Sequence, residues 1–483
     1  MLQVRRRAGV LAAAAAAVLV AGCGTAVGPA APVGGPITAV DPYGGDHAAE
    51  GTPKRGGTLV LGTDREAVGF DPTVQNTNPA ANAVYDSLLK LDPDGTVAPL
   101  LARSMDTVDG GTTWTMGLRP DVRFSDGTPL DANAVIVNTQ RHIDKVTSPA
   151  HRYAVMITAM RAVDPLTVEF TLSSPLAEFP VLFAQGLYTG TLGMIISPAA
   201  LQRHGDDVAE NPVGAGPFVL TSWTRDSRMV LARNPDYWQP DLPYLDGLEF
   251  RPLPDTESRN ASIQNGDVDV SFGGYNQEIV RALDNPDLRV YYGPGNFGEF
   301  LIFNVTRPPF DDRTMREAVI RALDLQALSA SQYSGRLTTA TSLFHEQSPY
   351  HTTEASAAWP SFDPARAREL VDAYRAGGGN VDFTFKTTIT RRPLAEFLQA
   401  QMAAIGIAAD VQTYDLTQYS AQVVQSGDFQ LSTNIATLDH PFPGVERLVG
   451  TEGSGNFGHY SNPVVDAALV DAAVNPDPAA RVR

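Results

Sequence analysis

The chain has 483 residues and sets 54 acidic against 36 basic side chains, a formal charge of −18. Such a surface repels phosphate backbones and excludes nucleic acid as a partner. At 43% hydrophobic there is material for more than one core, and the single cysteine, Cys23, excludes an internal disulfide framework.

Arg5, Arg6 and Arg7 form a basic start, and residues 8–20 are an unbroken run of small apolar side chains. The run is too short and too rich in alanine for a membrane span, so 1–22 reads as a signal peptide. Leu19-Val20-Ala21-Gly22-Cys23 resembles a bacterial lipobox. That resemblance implies cleavage before Cys23, lipidation of its sulfur and acylation of the new amino terminus. Two or three acyl chains hold a protein stably on a bilayer. A secretory signal with a chance cysteine is the alternative, and the arginines leave Sec and twin-arginine export both open. Residues 23–53, mostly Ala, Gly and Pro, read as a lipidated flexible tether reaching about 30 Å. No later segment is apolar enough to span a bilayer.

Residues 58–63 read as a first strand, followed by strands at 112–118 and 167–172. Asp94-Gly95, Asp126-Gly127 and Asn234-Pro235 mark turns between such runs. Residues 314–328 place Met315, Val319, Ala322 and Leu323 on one helical stripe. Asp363-Pro364 opens another helix, because Asp caps free N–H groups and Pro fits the first turn. A third helix, 394–405, leads through Gly406 to a strand at 409–414. The irregular alternation predicts an α/β fold with sheets of mixed direction rather than a barrel. Asp477-Pro478 begins a helix with only Ala479 to Arg483 beyond it, so the C-terminus is expected to be truncated.

The chain has no serine nucleophile elbow, no paired cysteine ligands, no His-Glu-x-x-His and no phosphate-binding lysine loop. Two G-x-G-x-x-G matches, at 293–298 and 453–458, run into a strand and a turn, whereas a dinucleotide site needs a helix there. His345 and His351 share a loop and read as surface histidines. The expectation is a binding protein with no catalytic residues, no cofactor and no metal.

Several stretches together resemble the family 5 extracellular solute-binding proteins, the dipeptide and oligopeptide receptors of ABC importers. They are Leu118-Arg119 with Phe124 and Asp126-Gly127-Thr128-Pro129; Val213-Gly214-Ala215-Gly216-Pro217-Phe218; Arg233-Asn234-Pro235-Asp236-Tyr237-Trp238; Phe303-Asn304 with Pro309-Phe310-Asp311-Asp312 and Arg316-Glu317-Ala318; and Asn456 to Pro463 with Asp466. The resemblance spans 56–482 in order and spacing, with Ala215 a mild departure. It implies a bilobal periplasmic-binding-protein-like fold of the peptide-receptor class, with a third domain. The implied parts are lobe I (54–97 and 213–295), an accessory domain II (98–212) and an incomplete lobe II, or domain III (296–483).

In dipeptide receptors of this family an aspartate binds the ligand α-ammonium, twelve positions after a turn glycine and four before a proline. Gly427, Asp439 and Pro443 match that spacing, although a loop carboxylate or a helix cap is the alternative. Arg391 stands where such receptors place an arginine for the ligand carboxylate, the alternative being a solvated arginine. Tyr275 and Trp359 are candidates to line side-chain pockets, or else to pack. The expected partners are a peptide ligand, the permease subunits of an ABC importer and the cell membrane, reached through the lipid on the extracytoplasmic face; the protein itself is expected to be a monomer. Rival readings are a same-fold receptor for a nickel chelate, haem, an oligosaccharide or an opine, and a regulatory envelope lipoprotein.

Overall fold

A computed structural model of the chain describes residues 52–74, 78–92, 96–184, 192–272, 276–291, 297–336, 339–346, 348–438, 440–475 and 477–482. The signal-peptide reading, nearly all of the tether, Cys23, the Asp94-Gly95 turn, Tyr275 and Asp439 lie outside the described residues.

Among the described residues the strands are β1 Thr58–Thr63, β2 Leu89–Leu91, β3 Val97–Pro99, β4 Ala102–Thr107, β5 Thr113–Leu118, β6 Ile157–Asp164, β7 Thr167–Leu172 and β8 Phe218–Thr224. They continue as β9 Arg228–Arg233, β10 Gly247–Pro252, β11 Val270–Phe272, β12 Phe297–Phe303, β13 Phe383–Thr388, β14 Ala409–Tyr414 and β15 Leu431–Thr437. They form three main sheets and a β2–β3 ribbon. The first sheet has the order β11-β1-β10-β9-β8, with β1 parallel to both β10 and β11 and the rest antiparallel. The second, β4-β5-β7-β6, is antiparallel throughout and contiguous in sequence. The third, β12-β15-β13-β14, is mixed: β13 runs parallel to β14 and β15, and β12 opposes β15.

Each sheet owns a core. In β7 the alternate residues Val168, Phe170 and Leu172 are buried, the period-two pattern of a strand with one covered face. Phe170 stacks edge-on to Phe179, 5.6 Å between centroids, and Phe179 meets Phe183 at 5.1 Å. Around the third sheet, Phe310, Met315, Val319, Phe383, Phe385, Leu398 and Met402 form one apolar cluster. Phe70, Tyr85, Leu231 and Phe250 belong to the core of the first sheet.

The single helix expected over 314–328 is two helices, Arg313–Ala322 and Leu325–Tyr333. Leu323 turns extended and the Asp324 carboxylate accepts from the Ala327 N–H, so Asp324 starts a new helix as its cap. Asp363 caps helix Pro364–Ala376 by accepting from Arg366 N–H, as its position before a proline predicted.

The family-like motifs do structural work. A Cβ on Gly214 would stand 2.2 Å from the Val84 carbonyl oxygen and one on Gly216 would stand 2.6 Å from the same atom, so that glycine pair lets two backbones meet. Tyr237 Oη and Trp238 Nε1 both donate to the Asp86 carboxylate, at 2.8 and 2.7 Å. Asp126 accepts from Thr128 and Ser197 and pairs with Arg203, closing the Asp126-Gly127 turn.

Candidate functional site

The connections of the third sheet single out one place on it. From β13 the chain passes through helix Arg392–Ala404 to β14 on one side, then returns to form β15 on the other side of β13. The connections that follow β13 thus lead to opposite sides of it, which makes a topological switch point between the parallel strands β13 and β15. In open α/β sheets ligands sit outside the carboxyl ends of the strands at such a point. The two strands are also tied by a buried hydrogen bond between Thr387 Oγ1 and Thr433 Oγ1, 2.7 Å.

Arg391 follows the end of β13 by three residues. Its Nε donates to Glu299 Oε1 on β12 at 2.7 Å, and its Nη1 donates to Thr388 Oγ1 at 3.3 Å. The side chain is only 14% exposed. A guanidinium has five N–H groups, so a further acceptor can still be held beside Glu299.

On the neighbouring strand, β15 ends at Thr437 and is followed by the buried Leu438 and His440, the two residues flanking Asp439. His440 Nδ1 lies 3.1 Å from Tyr350 Oη and 3.3 Å from Glu178 Oε2. Burial raises the Tyr350 hydroxyl above its ordinary pKa. Glu178 comes from the segment after β7, and Arg481 pairs with its other oxygen. Further along, Tyr153 meets Phe442 edge-on at 5.2 Å, and Arg152 pairs with Glu446. Burial lifts the Glu446 carboxyl above its usual value while Arg152 pulls it back.

The turn that sets the spacing to Asp439 is firmly built. Gly427 adopts φ +65°, a left-handed conformation that favours glycine. Asp428 accepts from Lys386 at 2.8 Å and Arg307 at 3.0 Å, which together hold its carboxyl below the usual range, and Phe429 is buried. In the first sheet, β11 ends at Phe272, immediately before Gly273-Gly274-Tyr275. The helix that follows is held by a buried pair in which Arg259 Nη2 donates to Glu278 Oε1 at 2.9 Å. Trp359 ends helix Thr353–Ala358 and is 43% exposed.

Arg391 and the residues flanking Asp439 therefore leave adjacent parallel strands, and Tyr275 follows a parallel strand of the first sheet. Sequence reasoning missed Glu299, Glu178 and His440. Only for His440 was there a signal, its place beside Asp439. Among the described residues no group of three or more His, Asp or Glu side chains could hold a metal ion, and no helix is long and apolar enough to cross a membrane.

Comparison with known proteins fits this geometry. Residues 96–456 match the family model described as bacterial extracellular solute-binding proteins, family 5 middle. The chain is 29% identical over 431 residues to the glutathione-binding protein GsiB of Escherichia coli K12, covering 86% of this chain and 82% of that protein. It is 30% identical over 431 residues to GsiB of Salmonella paratyphi A, with the same coverage. Its fold resembles the periplasmic binding protein DppA of Helicobacter pylori in complex with the peptide STSA, with a TM-score of 0.76 and 23% identity over 89% of each chain. AppA of Bacillus subtilis, an oligopeptide-binding protein in complex with a nonapeptide, gives a TM-score of 0.75 and 21% identity over 89% of this chain and 90% of that one. NikZ of Campylobacter jejuni in complex with Ni(L-His) gives 0.72 and 20% over 89% of both. The chain belongs to the family 5 bacterial extracellular solute-binding proteins: it has the α/β periplasmic-binding-protein fold with mixed sheets and is an extracytoplasmic, non-enzymatic binder of a small solute that serves an ABC transporter.

Proposed function

We propose that this chain is a lipid-anchored receptor that captures short peptides between two lobes and delivers them to an importer. The first sheet belongs to lobe I (54–97 and 213–295), the antiparallel sheet to the accessory domain (98–212) and the third sheet to lobe II (296–483). Asp439 takes the α-ammonium, and Arg391 takes the ligand carboxylate through the donors that Glu299 and Thr388 leave over. Tyr275 and Trp359 line side-chain pockets. The observation that carries the reading is that Arg391 and the neighbours of Asp439 leave the carboxyl ends of two adjacent parallel strands, β13 and β15. Opposite charges so arranged suit a zwitterionic ligand, and a closing cleft that excludes water strengthens both contacts.

Glutathione is the second ligand to consider, because the GsiB relatives bind it. It is itself a γ-linked tripeptide with a free α-ammonium and two carboxylates. Calorimetry with di- to pentapeptides, their N-acetylated forms and glutathione tests the reading, repeated on Asp439→Asn. Free peptides bind more tightly than acetylated ones, and D439N abolishes the difference; equal binding of free and acetylated forms refutes the ammonium role. The anchor is tested separately: Cys23→Ala loses the acyl mass in intact-protein mass spectrometry and leaves the membrane fraction. Retention of both acyl mass and membrane association by that variant excludes Cys23 as the anchor.

A further inference from the structure

The described residues of 438–449, the stretch of sequence that includes Asp439, are held by the antiparallel-sheet unit. His440 is within 3.3 Å of Glu178, Phe442 packs on Tyr153, and Glu446 pairs with Arg152, which also donates to the Glu452 carbonyl. Phe442 sits in the same apolar cluster as Trp114, Phe170 and Phe179, although more than 250 residues separate them in sequence. The neighbouring backbone is tied as well, since Ala177 N–H donates to the Ala473 carbonyl at 2.8 Å.

Glu178 is the unusual member of this contact. It is 4% exposed and lies in no strand. Its two oxygens face His440 and Arg481, both from the C-terminal third of the chain. It precedes the short helical turn Phe179–Phe183, and its side chain makes no capping hydrogen bond there. A buried carboxylate needs charged or hydrogen-bonding partners to remain buried, and Glu178 finds them beside the ligand crevice. His440 in turn is the immediate neighbour of Asp439.

We propose that Glu178 is a positioning residue for solute capture: acting through His440, this carboxylate of the accessory unit fixes the segment that presents Asp439 to the ligand. The inference rests on the reading of Asp439 given above. It makes the accessory unit part of the binding apparatus without any ligand contact of its own. Affinity for the charged amino end of a ligand then depends on a side chain some 260 residues away from Asp439 in sequence.

The test uses the full chain with glutathione, trialanine and N-acetyl-trialanine as probes, and Glu178→Gln, His440→Gln, the double variant and Asp439→Asn. E178Q keeps the shape and removes the charge. It is expected to weaken the free-amine probes roughly tenfold, the scale of a lost charge-assisted hydrogen bond, and to leave the acetylated probe unchanged. A general structural loss would weaken both alike and overturns the proposal. The double variant is expected to lose no more than either single one, because the two residues act as one unit. Hydrogen exchange supplies a readout that needs no ligand: amides of 438–449 exchange at least about tenfold faster in E178Q, while β8 and β9 are unchanged. Unaltered exchange there overturns the proposal. Loss of binding in D439N with wild-type binding in E178Q refutes the inference and spares the peptide reading. No effect of D439N refutes the Asp439 reading and the inference with it, even where exchange in E178Q is faster. If E178Q does not fold, H440Q carries the same comparison from the other partner.

Discussion

His142 gives the chain a built-in dependence on acid that can be calculated. It lies in helix Ala132–Asp144, 1% exposed, with Nδ1 2.7 Å from Ser148 Oγ. Burial pulls its pKa down from 6.5 to about 4; the Arg141 and Lys145 cations push the same way, and Asp71 opposes them. The folded imidazole is therefore neutral at a pH where the unfolded one is charged. Between 6.5 and about 4 the unfolded chain binds the extra proton, so stability is fully present above 6.5 and is lost as the pH falls through 4. At 1.36 kcal/mol for each pKa unit, the loss reaches about 3 kcal/mol by pH 4. Urea unfolding at pH 7, 5.5 and 4 on the native chain and His142→Asn measures it. Asn keeps a polar atom near Ser148 but does not titrate. The native chain should lose about 3 kcal/mol more than the variant over that range. Parallel profiles would refute the assignment of a neutral buried imidazole.

Asp71 is 5% exposed on its side chain and pairs with Arg141 at 2.9 Å and Lys145 at 3.7 Å. Asp71→Asn leaves those cations without their anion and should cost about 3 kcal/mol in urea unfolding at pH 7. Burial works to raise the Asp71 pKa, but Thr73 and Arg141 outweigh it and the net direction is down. Its contribution is therefore complete above the unfolded aspartate value and fades only in stronger acid. Asp86 behaves in the opposite sense, because burial raises its carboxyl despite the Trp238 and Tyr237 donors. Asp86→Asn still accepts from both donors and should change stability by less than about 1 kcal/mol, whereas Asp86→Ala strands them and costs about 3 kcal/mol. Glu299→Gln removes the anion that competes for Arg391; calorimetry should register roughly tenfold tighter binding of a free-carboxylate peptide and no change for its C-amide. Equal effects on both ligands would exclude Arg391 from carboxylate recognition.

Local structure was legible wherever a local rule decides it. The strands read at 58–63, 167–172 and 409–414 coincide with β1, β7 and β14, because alternation and turn residues set them. The helix opened by Asp363-Pro364 starts there for the same reason. The break at Leu323 was hidden because the apolar stripe runs on past the Asp324 cap. Arg391 could be named from its motif, but its partner Glu299, 92 residues earlier on β12, becomes visible only once the order β12-β15-β13 is known. Glu178 was beyond reach altogether, since a lone carboxylate in a loop has no pattern until the third sheet is folded against it.

The way the sheets are threaded also orders the events of folding. β4 to β7 pair only with one another inside 102–172, so that sheet can close as soon as about seventy residues are free. β1 must wait for β10, because Thr58 pairs with Gly247, and β12 must wait for β15, because Phe297 pairs with Thr437. A chain that emerges from a membrane pore amino end first would thus carry a finished antiparallel sheet while its first strand is still unpaired. Pulse-labelled hydrogen exchange should find β5 and β7 protected before β1; simultaneous protection would mean that the sheets assemble as one unit. The first strand made is then left without a neighbour until nearly two hundred further residues have followed it, long after the strands at 102–172 have paired.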